Sequence, residues 1–435
     1  MNRRDRVVAL DKRHVWHPYT PMDAHASSDP LVIERASGSR LYDADGKSYI
    51  DANSSWWCAV LGHDHPRLLT ALRQQLEEMP HVALAGITHA PAAELAAELV
   101  RRAPPGLSRV FYSDDGSTAV EVALKLALQY WHQNGRPERT RFVALDGAFH
   151  GDTLGAAAIG GVEVFRRPFA SVLLECLRVP LAADGYERAF ATLERLLATD
   201  SDGIAAVVLE PIVQGAAGMR IYDPALLRAA RELTTRHDVF LILDEVFTGF
   251  GRTGPFWALE HAGVAPDLLC TAKGLSGGLL PFAATLASQR IFDGFLGTPE
   301  RAFFYGHTFA GNPLGARVAL EVLRVYEEES VLEHAAAKAQ RIAAAFQSYA
   351  AIDGVERTRA LGMIGAADLR GADGYLEPLG KRVYAEALRL GAYLRPLGNT
   401  IYVAPPLNIP DQDLDELLAI VGVALQRCAP AASSG

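Results

Sequence analysis

The chain has little cysteine and no cysteine framework. Four cysteines occur among 435 residues, Cys58, Cys176, Cys270 and Cys428, and none pair at CxxC spacing. That argues against a disulfide scaffold and against a cysteine zinc ribbon, and it fits a reducing compartment. No metal site is expected from these residues. No apolar run reaches the roughly 18 residues that a membrane helix needs. The first residues are charged and run into Trp16, His17, Pro18 and Tyr19, with no apolar signal-peptide core, so a soluble, cytoplasmic protein is expected. Positive charge is also in short supply. Lys and Arg number 42 against 51 Asp and Glu, for a net charge of −9. The one tight arginine group is Arg3, Arg4 and Arg6. Nucleic-acid binding runs on clustered cations that neutralise phosphates, so that class is set aside. The chain carries no internal repeat and no GxxxxGK[ST] phosphate loop.

What is present is apolar residue in quantity, 49% of the chain. It is arranged as short runs alternating with longer helical patterns. The runs Arg109–Ser113, Arg141–Leu145, Ile204–Leu209, Val239–Leu243, Leu268–Thr271 and Ala284–Ser288 are apolar at nearly every position and bounded by Gly, Asp or Pro. Strands buried on both faces read this way. Between them lie helical stretches, such as the one placing Val120, Leu124, Ala127, Leu128 and Trp131 on one face. Strands alternating with helices predict an α/β fold with a mostly parallel central sheet. Tyr42-Asp43-Ala44-Asp45-Gly46 marks a turn between short strands. Residues 331–435 open with an Ala-rich helix, Val331–Ala350. A strand Thr400–Ala404 and a helix Asp411–Arg427 follow. We therefore expect a large domain, residues 61–330, and a smaller α+β domain built from residues 1–60 and 331–435. The Ala-Pro-Ser tail after Cys428 is expected to be disordered.

The chemistry is carried first by Asp244 and Lys273. Each ends an apolar strand, in Leu241-Ile242-Leu243-Asp244 and Thr271-Ala272-Lys273, and they lie 29 residues apart. Ligands of parallel α/β sheets bind beyond the carboxyl ends of the strands, so both side chains point toward one crevice. Pyridoxal 5'-phosphate needs this pair: an amine for its aldehyde, and a carboxylate that keeps its ring nitrogen protonated. A lone lysine would read as a surface residue; the pair, with glycine-rich flanks, reads as a cofactor site.

Five further segments have both a functional and an ordinary reading. Asp115-Gly116-Ser117-Thr118 follows one strand and precedes the Val120 helix. It suits a phosphate at a helix N-terminus, or is a plain N-cap. Phe149, in Ala148-Phe149-His150-Gly151-Asp152-Thr153, is a stacking ring or a core Phe. Tyr305-Gly306-His307-Thr308-Phe309 is an anion loop or a capped turn. Trp56, in Ser54-Ser55-Trp56-Trp57, walls an apolar pocket or fills a core. Arg395, held extended before Pro396, is a carboxylate clamp or a surface Arg.

The stretch from Leu243 through Asp244, Glu245, Val246, Phe247, Thr248, Gly249, Phe250, Gly251, Arg252 and Thr253 to Gly254 resembles the signature of class III aminotransferases. These enzymes have the type I pyridoxal-phosphate transferase fold and work as homodimers with shared active sites. Within the family, Trp16-His17-Pro18-Tyr19-Thr20, Ser54-Ser55-Trp56-Trp57, Gly86-Ile87-Thr88-His89-Ala90-Pro91, His150-Gly151-Asp152-Thr153 and Glu210-Pro211-Ile212-Val213-Gln214-Gly215 resemble the branch that serves biotin synthesis. That branch passes an amino group from S-adenosylmethionine to 8-amino-7-oxononanoate.

The resemblance spans residues 12 to 425 and implies a role for each matching residue. Lys273 would hold the cofactor as a Schiff base and carry the proton. Asp244 would pair with the ring nitrogen. Gly116 and Ser117 would bind the phosphate, with His307 and Thr308 doing so from the second subunit. Phe149 would stack on the ring. Tyr19, also implied in catalysis, would line the substrate pocket with Trp56 and Gly306, and Arg395 would hold a substrate carboxylate. Two positions depart from the branch. Phe149 stands where it usually has Tyr, which removes a hydroxyl. Asp115 stands where it often has Ser; this carboxylate is expected to face away from the phosphate or to cap a backbone group. The runner-up reading is an ω-amino acid aminotransferase of the 4-aminobutyrate or β-alanine type. An aminomutase, or a non-catalytic protein on the same fold, would be read from the same residues by losing the second substrate or the lysine chemistry.

Overall fold

The computed structural model describes residues 2–181, 186–371 and 375–430. Its centre is a seven-stranded sheet. Across the sheet the strands run Leu107–Ser113, Ala283–Ser288, Leu268–Thr271, Phe240–Asp244, Ile204–Leu209, Arg141–Leu145 and Cys176–Val179. Ala283–Ser288 is antiparallel to both its neighbours, and the other pairings are parallel. The α/β, mostly parallel expectation therefore holds.

The apolar runs are continuous because each strand serves two cores. In Phe240–Asp244, Leu241 and Leu243 pack into one core, while Phe240 and Ile242 pack into the other. Successive side chains leave opposite faces of a strand, so a sheet covered on both sides needs apolar residues at odd and even positions alike. The helix Gly116–Gln133 covers one face, burying Val120, Leu124, Ala127 and Trp131. Leu128, expected on that face, is only half-buried.

The sequence boundaries need small corrections. The first strand begins at Leu107 and the last at Ala283. Val239–Leu243 shifts to Phe240–Asp244, so that Asp244 is the final strand residue. The edge strand Cys176–Val179 was missed. It is only four residues long and mostly half-buried, so it carries no continuous apolar signal.

Both ends of the chain meet in one four-stranded sheet. Ile33–Ser37, Arg40–Asp43 and Ser48–Asp51 form a meander, and Ala392–Tyr393 adds to it parallel to Ser48–Asp51. A three-stranded antiparallel sheet joins Val355–Leu361, Ile364–Leu369 and Thr400–Val403. The helices Val331–Tyr349 and Asp411–Cys428 lie where expected. The tail from 431 onward lies outside the described residues. Among the described residues no helix is long and apolar enough to cross a membrane.

Candidate active site

The strands Phe240–Asp244 and Leu268–Thr271 are parallel neighbours, with Asp244 opposite Cys270. Their carboxyl ends therefore open on one crevice, and both candidate residues reach it. A cavity of about 260 Å³ is lined by Lys273, Asp244, Gly116, Ser117, Phe149, His150, Glu210, Trp57, Val246 and a few neighbours. Lys273 sits two residues past the end of the strand Leu268–Thr271 with φ 29°, a left-handed conformation that non-glycine residues adopt only when held. Its Nζ lies 5.2 Å from the centre of the Trp57 ring. Desolvation lowers its pKa from the ordinary 10.5, partly opposed by the nearby Asp244. An amine with a depressed pKa is a nucleophile and a base.

Asp244 is buried and accepts a hydrogen bond from His150 Nδ1 at 2.7 Å and from the Val246 amide at 3.0 Å. His150 is buried too, and its Nε2 has no partner among the described residues. Glu210 accepts from the Phe149 amide at 3.0 Å and from the Gly215 amide at 2.9 Å. Burial pushes its carboxyl up to about 7. Neither His150 nor Glu210 was given a role from sequence, although both lie in quoted motifs. A strand-end carboxylate that is buried needs a hydrogen-bond partner, and that requirement is the signal that points to His150.

At the far end of the cavity begins the helix Gly116–Gln133. Asp115 is its N-cap and accepts from the Thr118 amide at 2.9 Å, while Thr118 Oγ1 accepts from the Asp115 amide at 3.0 Å. The expected capping role of Asp115 is observed. The Gly116 and Ser117 amides, at the first two helical positions, have no acceptor within the helix and stand at its positive end. A side chain at Gly116 would put its Cβ 2.6 Å from Val246 Cγ1, and one at Gly151 (φ 126°) would collide with Ser117. The residues present therefore fit the cofactor: an enclosed amine, a buried carboxylate, apolar walls from Phe149 and Val246, and free amides for a phosphate. Gly116→Ala is expected to weaken cofactor binding by about 1–3 kcal/mol, or about ten- to a hundredfold, since overpacked sites lose that much. An absorbance titration of the cofactor-free protein with pyridoxal phosphate measures it.

The mouth of the site is aromatic. Ser54 to Trp57 form a left-handed turn, with φ values of 51°, 49°, 63° and 76°. Four consecutive non-glycine residues in this region are costly, about 1–2 kcal/mol each, so the turn must be held from outside. The Ser55 amide donates to Asp51 at 2.6 Å and the Trp56 amide to Asn53 at 2.8 Å. Ser54 Oγ donates to the Ala404 carbonyl at 2.6 Å and accepts from the fully buried Arg252 at 3.3 Å. The turn splits the tryptophans. Trp57 goes inward, onto Phe247 and toward Lys273. Trp56 stays outside, under the Arg395 guanidinium at 3.5 Å. The sequence reading singled out Trp56 and missed Trp57 as the cavity wall.

Tyr19, φ 54°, packs edge-on to Trp56 and Phe165, and its hydroxyl donates to both Asp152 oxygens, at 2.6 and 2.5 Å. Burial and that carboxylate push the hydroxyl pKa up, so Tyr19 is a held donor. Phe149 has no hydroxyl to offer Asp152; Tyr19 supplies one. Arg395 is half-buried, and among the described residues no acid forms an ion pair with it.

Gly306, His307 and Thr308 do not line this cavity within the chain. His307 Nδ1 bonds Asp114 at 2.6 Å and its Nε2 meets the Tyr305 hydroxyl at 2.9 Å, while Gly306 and Thr308 are exposed.

This combination of fold and site defines a pyridoxal-phosphate transaminase, and the chain belongs to the class III aminotransferases, whose family model, "Aminotransferase class-III", matches residues 22–425. Two relatives are both named adenosylmethionine-8-amino-7-oxononanoate aminotransferase. The one from Geobacter sulfurreducens is 40% identical over 94% of each chain. The one from Nitratidesulfovibrio vulgaris is 42% identical over 98% of this chain and 82% of its own length. The crystal structure of the enzyme so named from Methanocaldococcus jannaschii superposes with a TM-score of 0.94 at 34% identity, covering 98% of this chain and 99% of that one.

Proposed function

We propose that this enzyme transfers an amino group from S-adenosylmethionine to 8-amino-7-oxononanoate, giving 7,8-diaminononanoate for biotin synthesis. The observation that carries the reading is the near-full-length match, at 40–42% identity, to relatives that bear that activity in their names. The site's mouth supports it. A long aliphatic acceptor with a distal carboxylate suits a wall of Trp56 and Tyr19 next to the acid-free Arg395.

The chain's own groups divide the work. Pyridoxal phosphate, when bound, supplies an aldehyde that condenses with amines and a ring that draws electrons from the adjacent carbon. Lys273 Nζ, kept unprotonated by desolvation, takes the proton from the donor's carbon and gives one to the acceptor's carbon in the second half of the transfer. Asp244, oriented by His150, holds negative charge at the cavity floor. The Gly116 and Ser117 amides hold the phosphate. Phe149, Val246 and Trp57 exclude water. Tyr19 orients substrate through its fixed hydroxyl.

The enzyme acts as a homodimer in this reading, with Gly306, His307 and Thr308 serving the neighbouring site. Phe304 and Phe309, 80% and 59% exposed on either side of that segment, support an apolar interface there. The reading puts the enzyme in the cytoplasm, in keeping with four free cysteines.

The test is a donor and acceptor comparison. Turnover of S-adenosylmethionine with 8-amino-7-oxononanoate is expected. Turnover only of 4-aminobutyrate with 2-oxoglutarate would overturn the reading, and turnover of lysine in place of S-adenosylmethionine would change the donor. Arg395→Ala is expected to raise KM for the oxononanoate about ten- to a hundredfold with kcat little changed, the loss of one charge-assisted contact of about 1.5–3 kcal/mol. Initial-rate kinetics separate the two constants.

A further inference from the structure

Outside the active site, one cluster of side chains among the described residues has the composition and convergence of a metal centre. Asp11 lies in the last turn of the helix Arg3–His14, His17 in the loop that follows, and His25 in the short helix Met22–Ala26. His17 Nε2 lies 2.9 Å from Asp11 Oδ1, and His25 Nε2 lies 2.7 Å from Asp11 Oδ2. One atom from each of the three residues falls within 4.8 Å of the other two. The side chains are sheltered, at 18% exposure for Asp11, 30% for His17 and 10% for His25.

The cluster is unusual as a purely hydrogen-bonded one. Lys12 and Arg4 both pair with Asp29, and among the described residues no lysine or arginine forms an ion pair with Asp11. Asp11 faces two imidazoles whose ring centres are only 4.3 Å apart. The set is two ring nitrogens and one carboxylate around a point, and a divalent cation would engage all three at once. Ligand distances of about 2.0–2.2 Å would require the N···O separations to open by about half an ångström. Small side-chain rotations supply that. Two imidazoles with one carboxylate suit borderline first-row ions over magnesium or calcium, which take oxygen ligands.

We propose that Asp11, His17 and His25 bind a first-row divalent transition-metal cation, zinc foremost, with a fourth position open to solvent. The site spans residues 11 to 25, the segment that carries Tyr19 to the mouth of the active site. Metal there clips the helix, the loop and the second short helix together, and so holds Tyr19 against Asp152. The cysteine spacing that sets aside a zinc ribbon has no bearing on such a site, because its ligands come from His and Asp on three separate local elements.

The test uses the cofactor-loaded full chain after chelator treatment, titrated with zinc chloride in a calorimeter. Uptake of one zinc per chain, micromolar or tighter, is expected. It is lost in His25→Gln and in His17→Gln, each checked for native circular dichroism and cofactor content. Zinc should also slow tryptic cleavage after Lys12 and Arg13 in the parent but not in the variants. Calorimetry reads metal uptake directly, independently of the transamination reaction. No zinc uptake by the parent, or parent-like uptake by either variant, overturns the proposal.

Discussion

Lys273→Ala is expected to lose activity by about 10⁴-fold, the upper range for removing a positioned acid–base group. It should also fail to keep pyridoxal phosphate covalently. Borohydride, which fixes a lysine-bound aldehyde permanently, should label the parent and leave the variant unlabelled. Full labelling of the variant would assign the cofactor to another lysine.

The same residue has a signature in stability. Its folded pKa lies below the ordinary 10.5 because burial penalises the charged amine. Between the folded and unfolded values the unfolded chain binds more protons, so the contribution of Lys273 to stability rises with pH through that window. Below the window the full penalty of a charged, enclosed amine applies. The cofactor-free Lys273→Met protein should therefore melt higher than the cofactor-free parent at neutral pH. The gap should close as the pH approaches 10.5. Parallel melting curves at neutral and alkaline pH decide it.

Asp244→Asn should cost activity about 10²–10³-fold, the range for removing one preorganised electrostatic contact. The substitution is nearly isosteric but leaves a neutral amide facing the cavity floor. It also turns the His150 contact from a charge-assisted bond into a neutral one. Cofactor content should fall far less than kcat, because Lys273 and the Gly116–Ser117 amides remain. A variant that loses its cofactor but keeps its turnover when excess cofactor is supplied would make Asp244 a binding group alone. Absorbance and initial rates on one preparation separate these outcomes.

Much of the site was legible because its signals are local. A strand that ends in an ionisable residue is visible in six or seven letters, and two such strands imply a shared crevice whenever the sheet is parallel. Asp115 as an N-cap was legible for the same reason, since an N-cap bonds within its own turn. The resemblance then assigned roles to Tyr19, which had no local reading, and to Arg395, which alone read as a surface residue. Partners distant in the chain were not legible. His150 meets Asp244 across 94 positions, and Tyr19 meets Asp152 across 133. The edge strand Cys176–Val179 was hidden because an edge position relaxes the apolar requirement that betrays a central strand.

The sequence by itself determined the α/β class and the cofactor, and it picked out the two residues, Asp244 and Lys273, that the structure brings to one cavity. Continuous apolar strands require a sheet covered on both faces, and a strand-end Asp and Lys serve one chemistry when they share a crevice. Only the tertiary structure decided which tryptophan walls the cavity. Adjacent residues normally diverge, but Ser54 to Trp57 are forced into left-handed backbone by Asp51, Asn53, Ala404 and Arg252. No local preference favours that conformation. It exists because contacts up to 350 positions away hold it, and its result is Trp57 beside Lys273 and Trp56 beneath Arg395.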